Sequence, residues 1–479
     1  MARSPEDKFF SIPSRQIVED LYGPPGVPGG KAGIAEFRKK GIPKPSPFNA
    51  PRYKDDEHEY RVDLSGLEAL GDPVNIEGRI VFRAIKGKHE FIVNEKGEKV
   101  GGDFDAVGEP QGMGARFGFR AKRGEKAFVV NEKGERVGGK YDEVGNPRNI
   151  AGHIAFWARK GERRFVVNEK GERIGGDYDA VGDPQSIGGR VCFRAALAGQ
   201  EFIVNEEGQC VGGEYGQVGD PQDINGRIAF KATRKNRQFV VNEKGERIGG
   251  EYDYVNIPRN IAGRIAFWAR QGNSYFVINE KGERVGGEYD AVGDPRNING
   301  MIAFRAMRGM KWSIINEKGE RIGGEYDSIR DPRNMDGRIA FWAMKAHRYF
   351  IIDEKNGRVG GEYDIVSGPR YINHHIAFKA VDRFKQFIVS EKGERIGGEY
   401  DYVSVPHDIH LRILFWARNG ERFFVVDERG KRTRREYDEV YFLRPLSEAK
   451  AYVIAKRGNS YIKEVFNTET DMFSSAGID

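Results

Sequence analysis

One position in this chain holds either an indole or a cation, unit after unit. It is occupied by Arg83, Arg120, Trp157, Arg194, Lys231, Trp268, Arg305, Trp342, Lys379 and Trp416, with Ile454 closing the series. Indole faces stack on sugar rings or bases, while Arg and Lys meet acidic groups. The row is therefore a candidate ligand-binding surface. The structural alternative is that the same side chains hold neighbouring units together through cation–π pairs, each worth about 0.5–1 kcal/mol where exposed. A second polar set follows a recurring proline: Arg148, Gln185, Gln222, Arg259, Arg296, Arg333 and Arg370, with Asn149, Asn260, Asn297 and Asn334 beside several of them. These are read as solvated turn residues or, in a ring, as a basic lining near the axis that meets anions or an acidic partner.

Two places break the pattern, and broken symmetry is where a unique site is sought. Arg429, Lys431, Arg432, Arg434 and Arg435 form a basic run in which Arg434 and Arg435 replace a recurring Gly-Gly pair. It is a candidate anion patch, or a solvated edge. His374, His375, His407 and His410 are half of the eight histidines and cluster in two adjacent units. A metal site needs converging imidazoles, which two loops do not guarantee, and surface drift in late repeats is the alternative, so no metal and no cofactor are assigned. The acidic residue of a recurring Tyr-Asp pair (Asp142, Asp179, Asp253, Asp290, Asp327, Asp364, Asp401) is nearly invariant along the chain. A catalyst needs one asymmetric site with distinct pKa environments, so these carboxylates read as turn caps. The sequence holds no HExxH, GxSxG, P-loop or helix-opening GxGxxG.

These residues must be positioned by a repeat. The aromatic of the Tyr-Asp pair falls at Phe104, Tyr141, Tyr178, Tyr215, Tyr252, Tyr289, Tyr326, Tyr363, Tyr400 and Tyr437, always 37 residues apart, and Leu67 extends the register one period earlier. About eleven units fill residues 60–467. In the unit beginning at Tyr252, Ile265 and Phe267 point one way and Ala266 and Trp268 the other, the alternation of a strand. A Gly-containing turn leads to a second apolar run, and Gly282 sits where the next hairpin needs a positive φ. The third strand carries the Gly-Gly pair, which implies a bulge or a close backbone approach. After it comes a short Pro-containing inner segment. Each unit thus has three or four short antiparallel strands.

The pattern F-V-V-N-E-K-G-E-R-I, then E-Y-D, then G-x-I-A-F, resembles the WG (KWG) β-repeat family. The stretch D-P-x-x-I-x-G-R-I-A-F also resembles WD40-like repeats of the TolB-propeller type. The likeness spans about 85% of the chain, although Phe-Val or Phe-Ile stands where the first family has Trp-Gly. It implies an all-β fold, a β-propeller of one large ring or two rings, with an open β-solenoid as the alternative, and it implies no single chemistry. Closure favours a ring. The last unit lacks an outer strand, and residues 60–66 stand in register to supply it, leaving no open edge.

The 479 residues carry 78 basic and 72 acidic side chains, a net +6 that does not call for nucleic acid. Residues 1–59 form a Pro/Gly-rich tail or strap in which only Ser14 to Tyr22 suits a short helix, and 468–479 form a C-terminal tail. Glu6 and Asp7 stand where a secretory signal needs an apolar core, and Cys192 and Cys210 lack metal or disulfide spacing. A cytoplasmic location without membrane contact is expected. The functional expectation is a non-catalytic scaffold binding a protein partner through the repeat array. A polysaccharide or other polymer along the Trp/Arg/Lys row is the alternative, and a hydrolase with an axial-channel site comes third.

Overall fold

The computed structural model describes residues 60–475 except positions 64, 68, 78, 356, 373, 410, 411, 448, 449 and 469–471. The tail or strap of 1–59, with the helix expected near Ser14, lies outside the described residues, as do His410 and the last four positions of the chain.

The third repeat shows how the sequence builds one sheet. Its inner strand is broken into Glu143–Val144 and Arg148–Ile150, because the intervening Gly-Asn-Pro cannot continue a ladder. The second strand is His153–Lys160, the third Arg163–Asn168 and the outer one Arg173–Tyr178, all antiparallel. The inner strand keeps one ladder bond across its break, where Gly145 N donates to Trp157 O at 2.9 Å. The described residues form eleven such blades: one sheet of four strands, nine of five and one of six, the broken inner strand counting twice. Numbered in chain order, blade 1 begins at Ala69 and blade 11 at Glu439. No helix among the described residues is long and apolar enough to cross a membrane.

Both faces of each sheet are covered, so the alternation of the second strand sends residues to two neighbours. In blade 3, Ile154, Phe156 and Ala158 pack with Met113, Val129 and Tyr141 of blade 2. Ala155 and Trp157 pack instead with Val191 and Phe193 of blade 4. Each of the eleven blade-to-blade junctions has its own apolar cluster.

The eleventh junction closes the ring. Val62, Ile80, Phe82, Phe91 and Val93 of the N-terminal region bury against Tyr452, Ile454 and Tyr461 of blade 11. Strand Tyr60–Asp63 forms the outer edge of that blade, pairing Val62 with Tyr461 and Asp63 with Ser460. The molecule is thus a single closed eleven-bladed propeller. Facing sheets stack about 10 Å apart and strands about 4.8 Å, so eleven sheets leave a channel roughly 20 Å across between the inner backbones. After blade 11 the chain adds strand Met472–Ser475 to the outer edge of blade 10, against Lys431–Thr433.

The Gly-Gly pair serves both purposes expected of it. The ladder slips between Ala127 and Val129 opposite Gly138 and Gly139, and the Gly139 N–H donates to Tyr141 Oη at 2.9 Å. A Cβ on Gly171, in the hairpin turn of blade 3, would lie 2.9 Å from Gly138 Cα of blade 2. Tyr141 itself inserts between Phe156 and Phe165 of blade 3, edge-on to both at 6.1 and 5.8 Å.

Candidate functional site

The Tyr-Asp carboxylates cap turns. Asp142 Oδ2 accepts the Gly161 N–H at 2.7 Å and Asp253 Oδ2 accepts that of Gly272 at 2.7 Å, each closing the hairpin between the second and third strands. The other oxygen faces a cation sixteen residues upstream, as Lys126 does for Asp142 at 2.7 Å and Lys385 for Asp401 at 2.9 Å. The Lys126 and Gly161 bonds hold the Asp142 carboxyl below its ordinary range. Blade 5 has Gly216 at this position, and the sites are otherwise so alike that none is distinguished chemically.

The indole/cation row points into the blade interfaces. Trp157 Nε1 donates to Asp183 of blade 4 and Trp268 Nε1 to Asp294 of blade 7, both at 3.1 Å. Arg305 reaches Asp331 at 3.0 Å and Arg194 reaches Asp220 at 3.8 Å in the same manner. Arg83 pairs with Glu90 at 3.3 Å, and Arg120 is exposed. Lys231 lies 4.4 Å from the ring centroid of Tyr254 and the buried Lys379 4.5 Å from that of Tyr402, each on the following blade. Trp342 leans on Tyr349, and Trp416 is only 4% exposed. The structure thus turns most of the row toward contacts with the next blade.

The post-proline set joins the same contacts on the inner wall. Arg148 bonds Asp183, Arg259 bonds Asp294, and Arg296 reaches Asp331 at 2.6 Å. The aspartate between the two halves of one inner strand therefore receives an indole or guanidinium and an arginine from the previous blade. Burial works against ionisation of Asp294, but Arg259, Arg296 and the Trp268 indole outweigh it and hold the carboxyl below its usual range. Asn149, Asn260, Asn297 and Asn334 accept the backbone N–H three residues on, as turn residues do.

Of the histidines, His374 Nδ1 meets Tyr371 Oη at 3.2 Å and His375 faces Glu391 at 3.5 Å. His407 lies apart, stacked on Trp416 at 5.0 Å. Among the described residues no three candidate metal ligands converge. In the basic run, Arg429, Lys431, Arg434 and Arg435 are exposed on and beside the blade 10 strand that receives Met472–Ser475. Arg435 faces Glu464 at 3.5 Å, and Arg432 lies over Phe424 at 5.2 Å. A cavity of about 310 Å³ between blades 4 and 5 is lined by Cys192 and Cys210. Burial pushes the Cys192 thiol up to about 12, which leaves it protonated and a poor nucleophile.

Two features escaped the sequence reading. The arginine of G-R-I-A-F bridges to the hairpin turn of the next blade, as Arg264 does to Glu317 at 2.6 Å and Arg227 to Glu280 at 2.9 Å. The second lies at the tips of the hairpins capped by the Tyr-Asp carboxylates, where Phe384 is 95% and Met310 84% exposed, with φ of 68° and 66°. The corresponding tips elsewhere are Lys88, Glu125, Glu162, Gly199, Asn236, Asn273, His347, Glu421 and Asn459. Comparing that one position across units shows the two apolar departures.

No protein-family model matches the chain, so the WG-type likeness rests on its residues alone, and no curated protein matches it. Among solved structures the chain is similar to a crystal structure of the eukaryotic initiation factor, at 10% identity over 66% of this chain and 93% of that one, with a TM-score of 0.34. It is similar to the dihydro-heme d1 dehydrogenase NirN, at 12% identity over 80% and 90%, with a TM-score of 0.29. It is also similar to the β-propeller domain of the Trilobed protease from Pyrococcus furiosus, at 11% identity over 63% and 95%, with a TM-score of 0.26. The propeller architecture rests on the sheet order and junction packing of the chain itself.

Proposed function

We propose that the protein is a non-catalytic scaffold that docks protein partners on the face bearing Met310 and Phe384. The observation that carries this reading is the placement of two large apolar side chains at exposed hairpin tips on one face, two blades apart. A bulky residue at positive φ is locally unfavourable, and at 95% exposure Phe384 gains nothing from the fold in return. Its benefit lies in a contact outside the molecule, and exposed aromatics surrounded by polar residues are the usual anchors of protein interfaces. The repeated carboxylates, indoles and arginines are meanwhile engaged in holding turns and blades, which supports binding over catalysis. Two free cysteines, Cys192 and Cys210, suit a reducing cytoplasm.

The test is affinity capture from the source cell lysate with the full-length chain beside Met310→Asn/Phe384→Asn, nuclease and a high-salt wash serving as controls. Asn tolerates the left-handed conformation better than Met or Phe, so the double variant keeps its fold. A discrete protein retained by the native chain and lost by the variant is the expected result. Equal retention by both would place the docking face elsewhere.

A further inference from the structure

The inner wall is not uniform around the ring. In blades 4, 5, 7 and 8, Asp183, Asp220, Asp294 and Asp331 interrupt the inner strands and receive cations or indoles of the preceding blade, and blade 6 has Ile257 there. The same position in blades 9, 10 and 11 is Gly368, Val405 and Phe442, so three consecutive carboxylates are missing. The basic side chains that would meet them persist as Arg333, Arg370 and His407, and Arg444 follows one period on. Arg333 has turned to the backbone, donating to Pro369 O at 3.4 Å. Arg370 has no hydrogen-bond or ion-pair partner among the described residues, and its Nε is buried and unsatisfied. His407 Nε2 is likewise buried with no partner. Arg444 is exposed on the next inner strand and, among the described residues, donates only to Leu443 O, at 3.2 Å.

Arg148 and Arg259 also bury an unpaired Nε, but each places another nitrogen on an aspartate. Arg370 and His407 have no such partner among the described residues, a costly arrangement, and with Arg444 beside them they mark a place built for an acceptor. We propose that the inner wall at blades 9 to 11 binds one oxyanion group, a phosphate or a carboxylate, between Arg370, His407 and Arg444. Arginine suits both chemistries because its planar fork matches two oxygens at once. His407 completes the site by donating from Nε2, with its ring held in place against Trp416 at 5.0 Å. Burial, together with Arg444 and Arg370, depresses its pKa to about 3, and a bound anion offsets the two electrostatic contributions. The site faces the channel and is separate from the hairpin tips, so its failure leaves the docking reading intact.

The experiment is a histidine ¹³Cε1 NMR titration of the full-length chain, with His407 assigned through His407→Gln. Inorganic phosphate and a glutamate-rich peptide are added separately, each against sodium chloride of matched ionic strength. The expected result is a saturable shift of His407 alone with at least one probe, weakened about tenfold or more in Arg370→Gln. Arg370→Lys should restore part of it. Arg296→Gln, which removes a cation already paired with Asp331, should leave it unchanged. Saturation by phosphate only assigns a phosphate ligand, and by the peptide only a carboxylate of a protein. A shift that follows ionic strength equally in chloride, or saturable binding untouched by Arg370→Gln in a folded variant, would overturn the proposal.

Discussion

Ring closure depends on a strand four residues long, and Val62 is its buried anchor, 2% exposed among Ile80, Phe82 and Tyr461. Val62→Ala removes two methyl groups from that cluster. At about 0.8 kcal/mol per buried carbon plus a cavity contribution, the junction weakens by about 2 kcal/mol. Val62→Asp places a carboxylate in the same cluster and releases the strand, which also forfeits its four ladder pairs and the Arg61 bond to Ser460 Oγ at 2.8 Å. The combined loss is about 4 kcal/mol or more. Hydrogen exchange read by mass spectrometry on the full-length chain locates the effect. Protection should fall across 460–467 and 79–93, on the two sides of the seam, while 227–252 on the far side of the ring keeps its native rate. Unchanged exchange over 460–467 in Val62→Asp would refute closure by this strand. A uniform loss in every blade would refute the view that each junction holds independently.

Other perturbations test the contacts between blades. Asp294→Ala leaves Arg259 and the Trp268 indole without their acceptor and should cost about 2–3 kcal/mol in denaturant unfolding, whereas Trp268→Phe, which loses the 3.1 Å bond but keeps an aromatic ring beside Tyr254, should cost about 1 kcal/mol. Gly171→Ala meets Gly138 Cα at 2.9 Å, while Gly161→Ala meets nothing within 4 Å at a similar positive φ. The first should destabilise by about 3 kcal/mol and the second by about 1 kcal/mol, and equal losses would contradict the close approach. His407 is held neutral down to about pH 3, against an ordinary value of 6.5. The unfolded chain therefore binds a proton that the folded one refuses as pH falls through 6.5. Stability should drop by about 1.4 kcal/mol per pH unit from near 6 toward 4.5, and His407→Gln should flatten that slope.

Much of the ring was legible in the sequence because its signals are local. Turn aspartates, the Gly-Gly pair and the alternation of the second strand can each be read within one unit, even where their contacts reach the next blade, and the missing outer strand of blade 11 pointed directly to residues 60–66. The number of blades per ring was not legible. Curvature is set by how Phe and Ala fill the wedge between adjacent sheets, a property of two units in contact that no single unit's pattern records. The indole/cation row illustrates the same limit. On an isolated sheet, Trp157 and Arg305 stand on an open face, but in the ring that face is covered, and Asp183 and Asp331 arrive from a blade 26 residues further on. Phe384 and Met310 were visible as residues and became informative only once their position was known to be a solvent-facing hairpin tip.

The closing strand also sets an order of events during synthesis. Arg61 and Ser460 are 399 residues apart, so at about 5–20 residues per second the ribosome needs roughly 20–80 s between making the strand and making the sheet that receives it. Through that interval each new blade can stack on the one before it by local hairpin contacts, which form in microseconds. Ile80, Phe82 and Phe91, destined for the seam, have no partner sheet until blade 11 has been made. The growing arc thus carries one uncovered apolar face from its first blade almost to its last, and the nascent chain depends on keeping that face from other chains until blade 11 covers it.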